Sequence, residues 1–344
     1  MAQSLTVNTP DGSYEIHIER GARLRLSALL GARRAVIVTN PTVAALHGDT
    51  ISAAVPNSLL VEMPDGEQYK TLETVAQLYR DFVGAGLDRG GAVIAFGGGV
   101  VGDTAGFAAA SYMRGVSLIQ VPTTLLSMVD SSVGGKVGVD LPEGKNLVGA
   151  FKQPDAVLID PDYLSTLPPK EWRCGMAEVI KHGLLADPSL LDPARWTPER
   201  SEELITRAVR VKIDVVEQDP YEKNIRAHLN LGHTFAHAVE NVSHYAWAHG
   251  EAVGIGLVAA GKLSHRLGLC GADLPALIED TVAELGLPTR LGGLDVAALW
   301  AAMSTDKKWQ AGKSRFMLLK GAQQPVIVDG VSSEDVMAVL NEVQ

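Results

Sequence analysis

The chain has 344 residues, 46% of them hydrophobic and only 5% aromatic, and a formal net charge of -10. This length is enough for two domains or one large one, and the hydrophobic fraction is ordinary for a globular enzyme. The acidic balance and the absence of a block rich in lysine and arginine exclude a nucleic-acid-binding surface along the whole chain, although a local basic pocket is compatible with them.

Cysteine usage and hydropathy bear on where the protein works. The two cysteines, Cys174 and Cys270, are far apart and in no CxxC spacing, so no disulfide framework is indicated and a reducing cytosol fits. The N-terminal stretch lacks the charged and apolar regions of a signal peptide. The longest apolar run, residues 252–263, is too short and too rich in glycine to span a bilayer. We therefore expect a cytoplasmic protein that binds neither membrane nor nucleic acid.

The first half of the chain alternates short hydrophobic runs with helical patterns. A weak alternation over residues 3–19, broken by Pro10-Asp11-Gly12, predicts a β-hairpin. A helix is predicted from Thr71 to Ala85 with Thr71 as its N-cap, and a shorter one from Thr42 to His47. Further strands are predicted at 34–39, 58–63, 92–96, 116–122 and 156–161. Strands that alternate with helices favour a mostly parallel, doubly wound α/β sheet.

The pattern changes at Thr166-Leu167-Pro168-Pro169, after which runs of β-branched residues almost disappear. We therefore place a domain boundary near Leu167, which gives domains of residues 1–167 and 168–344, the second mainly helical. A late hairpin is predicted from SRFMLLK and QPVIVD. Asp295 is the predicted N-cap of the helix that it begins. The predicted helices cover 170–185, 198–216, 230–243, 251–267, 273–285, 295–303 and 333–342.

A glycine-rich loop follows the predicted strand 92–96. Gly97, Gly99 and Gly102 fit the GxGxxG pattern between a strand and a helix, where backbone amides suit a pyrophosphate. The acidic residue usual at the end of the next strand is missing, because that strand ends in Val121-Pro122-Thr123-Thr124. The loop is therefore a dinucleotide site whose ribose contact comes from elsewhere, such as residues 65–70, or a tight turn that binds no ligand.

Two histidines and a glutamate in the helical half suggest a metal site. His233 and His237 are four residues apart and share a helix face, His249 precedes the next predicted helix, and Glu178 lies in the first helix of the second domain. Two histidines, one carboxylate and an open fourth position would form a catalytic zinc site. The spacing is no short zinc signature such as HExxH, so surface or capping histidines are the alternative. The spacing also leaves open which of His233 and His237 binds metal.

Several basic and amide side chains accompany this cluster. Lys181 follows Glu178 at i+3, and Arg226 and Asn230 share a helix face just before His233. Each alone is typical of a solvated surface. Together with a divalent metal they would hold a substrate with more than one negative group, such as a phosphate and a carboxylate. Further candidates of this kind are Lys212, Lys307 and Lys308.

Long blocks of the sequence resemble one known family, the 3-dehydroquinate synthases, which belong to the sugar phosphate cyclases. The resemblance covers nearly the whole chain, and its blocks occur in the family's order. The most specific blocks are GGGVVGDTAGFAAASYMRG, QVPTTLLSMVDSSVGGKVGV, GKNLVGAF, TLPPKEWRCGMAEVIKHG, LNLGHTFAHAVE, HGEAVGIG and DKKWQAGK.

The resemblance implies a fold, two cofactors and a reaction. It implies an N-terminal Rossmann-like domain that binds NAD, a C-terminal helical domain that holds Zn²⁺ (or Co²⁺), an active site in the cleft between them, and a homodimer. The implied substrate is 3-deoxy-D-arabino-heptulosonate 7-phosphate. It is transiently oxidised at C5 by NAD, loses phosphate, is reduced again, opens, and closes by an intramolecular aldol step to 3-dehydroquinate, the second step of the shikimate pathway.

The resemblance also implies a role for each matching position. The metal ligands would be Glu178, His233 and His249, which leaves His237 to the substrate pocket. Arg114 would reach across the dimer. The cofactor site would comprise Asn40, Glu67, Lys70, Gly98, Gly99, Asp103, Thr123, Thr124, Asp130, Lys136, Lys145, Tyr163, Thr166 and Leu167. The catalytic and substrate-binding residues would be Arg114, Asp130, Lys136, Lys145, Asn146, Lys181, Lys212, Arg226, Asn230, His237 and Lys307.

One position departs from the family pattern, and three other functions remain as alternatives. Some members carry Asp where this chain has Asn40, so we expect somewhat weaker cofactor binding than with Asp. The alternatives are a cyclase that makes 2-deoxy-scyllo-inosose or 2-epi-5-epi-valiolone, a metal-dependent polyol or glycerol-phosphate dehydrogenase, and a non-catalytic NAD-binding module.

Overall fold

The computed structural model describes residues 3–304 and 314–344, which form two compact units. The first unit contains the chain up to Pro168 together with Pro198–Pro220, and the second contains Pro169–Thr197 and the chain from Tyr221 onward. The segment Pro198–Pro220 thus clusters with the first unit although it follows the opening helix of the second.

Nine of the described strands lie in the first unit, and most coincide with the hydrophobic runs of the sequence. The hairpin over residues 3–19 and the strands predicted up to residue 161 are confirmed. The strands are β1 (Gln3–Thr9), β2 (Gly12–Ile18), β3 (Ala35–Thr39), β4 (Ser58–Glu62), β5 (Ala92–Gly97), β6 (Ser117–Pro122), β7 (Lys136–Leu141), β8 (Gly144–Phe151) and β9 (Ala156–Ile159).

Seven of these strands form one sheet in the order β1-β2-β9-β6-β5-β3-β4. Strands β1 and β2 pair antiparallel, and every other pair in this sheet is parallel, which confirms the predicted mostly parallel sheet. The chain runs from β3 to β4 on one side and then returns to β5 on the other side of β3. Ligands bind outside the carboxyl ends of the strands at such a switch point, here the ends of β3 and β5.

The core of the first unit explains why these runs become strands and helices. All residues of β3 and β5 are buried, as expected for parallel strands covered on both faces. The helices between the strands are α1 (Leu26–Leu30), α2 (Pro41–Ala54), α3 (Leu72–Gly84) and α4 (Gly99–Ser111). The side chain of Thr71 accepts a hydrogen bond from the Thr74 amide at 3.3 Å, which confirms the predicted N-cap of α3. Leu78 and Phe82 of α3 then pack into the sheet core.

The hairpin of β7 and β8 was not predicted from the sequence. The two strands pair antiparallel, with Gly138 opposite Gly149. A Cβ at either glycine would lie 2.6 Å from a carbonyl oxygen of the opposite strand, so only glycine fits there. The same glycines remove the bulky alternation by which a strand is recognised in sequence.

The second unit is mainly helical, as predicted. The hairpin of β10 (Arg315–Leu319) and β11 (Pro325–Asp329) is confirmed, and so is the Asp295 cap, whose Oδ1 accepts from the Ala297 amide at 3.0 Å. No helix among residues 3–304 and 314–344 is both long and apolar enough to cross a membrane. The helices of this unit are α5 (Pro169–Leu185), α7 (His233–Val242), α8 (His249–Arg266), α9 (Asp273–Glu284), α10 (Val296–Ser304) and α11 (Ser333–Glu342), whereas α6 (Ser201–Gln218) belongs to the first unit.

Glycines of α8 let three helices approach closely. A Cβ at Gly250 would lie 2.2 Å from the Cα of Cys174 in α5, and one at Gly256 would lie 2.2 Å from the carbonyl oxygen of Gly232 before α7. Side chains cannot occupy such gaps, so the backbones themselves are in contact. This packing brings the beginnings of α7 and α8 close to the middle of α5.

Candidate metal centre and cofactor loop

Three potential metal ligands meet where α5, α7 and α8 approach one another. Glu178 is fully buried in α5, while His233 and His249 are the first residues of α7 and α8. The Oε1 atom of Glu178 lies 3.4 Å from Nε2 of His233 and 3.5 Å from Nε2 of His249. One potential ligand atom from each of the three residues lies within 4.8 Å of the other two. The structure thus brings together the three residues predicted as zinc ligands.

The far side of each imidazole is held by another acceptor. His233 Nδ1 lies 3.1 Å from the carbonyl oxygen of Leu231, and His249 Nδ1 lies 3.5 Å from Oε1 of the buried Glu240. An acceptor at Nδ1 places the proton there and leaves Nε2 for a metal ion. Sequence reasoning missed Glu240, although its position seven residues after His233 places it on the same helix face.

The charges of the cluster keep its carboxylate ionised. Burial opposes ionisation of Glu178, but the adjacent Lys181 ammonium and the two imidazoles outweigh it and hold the pKa of Glu178 well below its usual range. Burial, aided by Lys181, lowers the pKa of His233 to about 4. Burial would also lower the pKa of His249, but Glu178 and Glu240 raise it to about 10.

The geometry of the cluster fits a divalent metal ion. Donors at the usual zinc distances of about 2.0–2.2 Å in a tetrahedron lie about 3.4 Å from one another, close to the measured 3.4 and 3.5 Å. Hydrogen bonds between the same atoms would be shorter, about 2.7–2.9 Å for a charge-assisted pair. An imidazole pair with one carboxylate is also a typical donor set for catalytic zinc.

The predicted glycine loop lies at the switch point of the sheet. Gly98 is the N-cap of α4 and follows the buried strand β5, so the predicted context of strand, loop and helix is confirmed. The first amides of a helix have no partners within it and favour an anion. Thr123 and Thr124 lie beside the loop: the Thr123 amide donates to the Gly97 carbonyl at 3.0 Å, and a Cβ at Gly98 would lie 3.2 Å from the Thr124 methyl carbon.

A buried lysine connects the glycine-loop helix to the β7–β8 hairpin. Lys70 Nζ donates to Oδ2 of Asp103 at 2.6 Å and to Oδ1 of Asn146 at 2.7 Å. Burial would lower the pKa of Lys70, but Asp103 and Glu67 outweigh it and raise that pKa. The backbone of Asn146 is left-handed (φ 53°), and its amide donates to Asp140 at 2.7 Å. The structure thus brings together the three predicted residues Lys70, Asp103 and Asn146.

Two further ion pairs of the first unit join predicted residues. Lys212 Nζ in α6 lies 2.6 Å from Oδ1 of Asp130 and donates to its carbonyl oxygen at 2.5 Å. Lys145 Nζ lies 3.3 Å from Oε1 of Glu67. Tertiary packing alone pairs Asp130 with Lys212, since 82 residues separate them along the chain.

The remaining predicted cofactor residues lie at the carboxyl ends of β3 and β9. Asn40 caps α2 by accepting from the Val43 amide at 2.9 Å, and its amide nitrogen contacts Asp65. Tyr163 and Thr166 follow β9, and both contact His47: the Tyr163 ring packs edge-on at 4.9 Å, and Thr166 Oγ1 lies 2.8 Å from Nε2. Leu167 ends this segment.

The predicted substrate residues of the second unit precede or lie within α7, the helix that begins with His233. The ring of His237, which is exposed, lies 5.7 Å from that of His233. Arg226 is buried, and Asn230 donates to Glu222 at 2.8 Å. Both lie in the short helical segment Ile225–Asn230 directly before α7.

The other three predicted residues lie at the surface or outside the described part of the chain. Arg114 is exposed beyond the C-terminal end of α4, so about 20 Å of helix separates it from Gly98 at the other end. Lys136 is exposed at the start of β7. Lys307, with its neighbour Lys308, lies outside the described residues.

Comparisons with known proteins agree with the resemblance seen in the sequence. Two family models match, "3-dehydroquinate synthase N-terminal" over residues 60–174 and "3-dehydroquinate synthase C-terminal" over residues 175–309. A curated 3-dehydroquinate synthase of a Synechococcus strain is 44% identical, and the match covers 100% of this chain and 99% of the relative.

Two solved structures have the same fold over nearly their whole length. A 2-deoxy-scyllo-inosose synthase complexed with carbaglucose-6-phosphate, NAD⁺ and Co²⁺ is 25% identical with a TM-score of 0.91, covering 99% of this chain and 100% of that one. A 2-epi-5-epi-valiolone synthase of Streptomyces hygroscopicus with NAD⁺ and Zn²⁺ is 28% identical with a TM-score of 0.88, covering 98% of each chain. The family predicted from the sequence is confirmed, and the chain belongs to the 3-dehydroquinate synthases.

Proposed function

We propose that this enzyme converts 3-deoxy-D-arabino-heptulosonate 7-phosphate to 3-dehydroquinate and phosphate, with NAD and a divalent metal ion as cofactors. The 44% identity to a 3-dehydroquinate synthase over the whole chain supports this reaction. The two cyclase structures with a similar fold hold NAD⁺ and either Co²⁺ or Zn²⁺, which supports the choice of cofactors.

The observation that carries the proposal is the buried cluster of Glu178, His233 and His249. Its donor atoms have the spacing of a tetrahedral metal site, and the Nδ1 atom of each imidazole faces an acceptor that fixes the ring. When bound, the metal would polarise substrate hydroxyls, and NAD would accept and return a hydride. Lys181 keeps the Glu178 carboxylate charged, so that it can serve as an anionic ligand.

Residues of the second unit would hold the anionic substrate and move its protons. Buried Arg226 presents a forked guanidinium suited to phosphate or carboxylate, and Asn230 can hydrogen-bond a hydroxyl. His237 is exposed beside His233, where its imidazole can pass protons between substrate and water. Lys307 would add a further positive charge.

Residues of the first unit would hold NAD and position its reactive end. The amides of Gly98 and Gly99 at the start of α4 suit the pyrophosphate, and Thr123 and Thr124 continue that surface. The pairs Lys70–Asp103 and Lys212–Asp130 hold charged side chains in fixed positions near this loop. Lys136, Lys145 and Asn146 would contact substrate or nicotinamide, and Glu67, Tyr163, Thr166 and Leu167 would line the rest of the cofactor site.

The proposal includes a cytoplasmic homodimer in which Arg114 serves the neighbouring subunit. Its exposed position beyond α4 is compatible with that role. Met113 and Arg114 both adopt left-handed backbone conformations (φ 48° and 70°), which cost free energy in residues other than glycine.

The test is to incubate the protein with the heptulosonate phosphate, NAD⁺ and Zn²⁺ and to follow phosphate, 3-dehydroquinate and NADH together. The proposal predicts phosphate and 3-dehydroquinate in equal amounts with no accumulation of NADH. A polyol dehydrogenase would instead accumulate NADH. A cyclase of the inosose type would release phosphate from a hexose 6-phosphate and not from the heptulosonate phosphate.

A further inference from the structure

The first turn of α8 lies along one face of α5. Three residues of α5 are spaced four apart, which places them on the same helix face, and each of them meets one of the first three residues of α8. The pairs are Lys170 with Glu251, Cys174 with Gly250, and Glu178 with His249. The pair proposed to bind the metal ion is thus the last of three contacts that follow one another along α5, one helical turn apart.

Glu251 holds the beginning of α8 through two contacts. Its Oε2 atom accepts a hydrogen bond from the Ala248 amide at 2.8 Å and lies 3.3 Å from Nζ of Lys170. Ala248 occupies the N-cap position, and alanine has no side-chain oxygen with which to cap a helix. Glu251, the third residue of the helix, therefore supplies the half of a capping box that this sequence still allows.

His249 is sensitive to this cap because it is the first residue of α8. The first amides of a helix have no partner within it, and helix ends open at little cost in free energy. If the first turn opens, the backbone of His249 leaves the helical conformation, and its Nε2 atom moves from its place 3.5 Å from Glu178. A side chain that keeps this turn closed controls the geometry of the ligands without contacting the metal ion.

We propose that Glu251 is a positioning residue of the metal centre, which keeps the first turn of α8 closed so that His249 directs its Nε2 atom at Glu178. This inference rests on the proposed metal site. The hydrogen bond to the Ala248 amide closes the turn, and Lys170 orients the carboxylate from α5. The negative charge also suits the N-terminus of a helix.

A purely structural cap makes a different prediction. If Glu251 only stabilised α8, its loss would lower the free energy of unfolding of the metal-free protein and leave the zinc affinity of the folded protein unchanged. A positioning role instead changes the dissociation constant of zinc. It also changes the visible absorption spectrum of the protein loaded with Co²⁺, because that spectrum depends on the coordination geometry.

The experiment measures the zinc affinity of the full chain by competition with a chromogenic chelator, in the wild type and in Glu251→Ala, Glu251→Gln and Glu334→Ala. Glu334 is an exposed glutamate in the first turn of α11 and serves as the matched control. We expect Glu251→Ala to raise the Kd of zinc about tenfold or more and to alter the Co²⁺ spectrum, and Glu334→Ala to do neither.

The glutamine variant separates the hydrogen bond from the charge. Glutamine keeps an acceptor for the Ala248 amide and loses only the ion pair with Lys170, whose side chain is half exposed. Exposed ion pairs contribute little, so the Kd of zinc in Glu251→Gln should stay within about threefold of the wild-type value. A glutamine variant that binds zinc as weakly as the alanine variant overturns the proposal.

Glu251→Asp keeps the test decisive if Glu251→Ala is poorly folded. Aspartate retains the negative charge that suits a helix N-terminus, but its side chain is one methylene shorter and does not reach the Ala248 amide from the same position, so zinc binding should again weaken. Wild-type zinc affinity with an unchanged Co²⁺ spectrum in the folded alanine or aspartate variant overturns the role of Glu251. A wild-type chain that binds no zinc contradicts the proposed metal site itself.

Discussion

At the residue scale, the cluster of Glu178, His233 and His249 depends on the acceptors at the Nδ1 atoms of its two histidines. Glu240 Oε1 lies 3.5 Å from Nδ1 of His249 and is buried, so it fixes the ring and adds negative charge beside the proposed metal site. We expect Glu240→Gln, which keeps an acceptor oxygen but loses the charge, to weaken zinc binding about 10–100-fold. Competition with a chromogenic chelator measures this affinity, with the exposed Glu284→Gln as control. Equal zinc affinity in the two variants would show that Glu240 has no such role.

The same residues predict how metal affinity depends on pH. Glu178 and Glu240 raise the pKa of His249 to about 10, so this imidazole is protonated at neutral pH and must lose a proton when Nε2 binds metal. Zinc affinity should therefore rise about tenfold per pH unit from pH 6 to pH 9, with about one proton released per ion. Calorimetry in buffers of different ionisation enthalpy counts that proton. An affinity that does not vary over this range would contradict the binding of metal by a His249 that is protonated in the metal-free protein.

At the element scale, the position of the cluster depends on the backbone contact between α5 and α8. A Cβ at Gly250 would lie 2.2 Å from the Cα of Cys174, so Gly250→Ala must push the two helices apart and displace Glu178 from His249. We expect a loss of about 1–3 kcal/mol in the free energy of unfolding together with weaker zinc binding. Gly84→Ala, at the end of α3 with nothing within 4 Å of its Cβ, is the control and should be neutral or slightly stabilising. Denaturant titration measures both, and a neutral Gly250→Ala would be contrary evidence.

Most helices and strands could be predicted because local features of the sequence, such as hydrophobic runs and capping residues, indicate them. The parallel strands β3, β5 and β9 are continuous apolar runs, and Thr71 and Asp295 are residue types that commonly cap helices. The hairpin of β7 and β8 could not be predicted, since the facing glycines erase its alternation. The place of α6 in the first unit depends on tertiary contacts such as those of Glu217, which accepts from the Asn8 amide at 2.7 Å, and no local pattern encodes them.

At the scale of the whole molecule, the family resemblance supplied what spacing could not. Spacing left His233 and His237 equivalent, and the fold separates them, because His233 begins α7 next to Glu178 whereas His237 is exposed one turn later. The contacts of Asn40 with Asp65 and of His249 with Glu240 were invisible in the sequence. In each case a second residue from a different segment decides how the first one can act.

We propose the cluster of Glu178, His233 and His249 as the catalytic metal centre of this 3-dehydroquinate synthase. The most direct test is to strip the protein with a chelator and to measure phosphate release from the heptulosonate phosphate, with NAD⁺ present, as zinc is added back. We expect no release without metal, and a rate that rises with zinc and saturates at one ion per chain. Full phosphate release from the metal-free protein would contradict it.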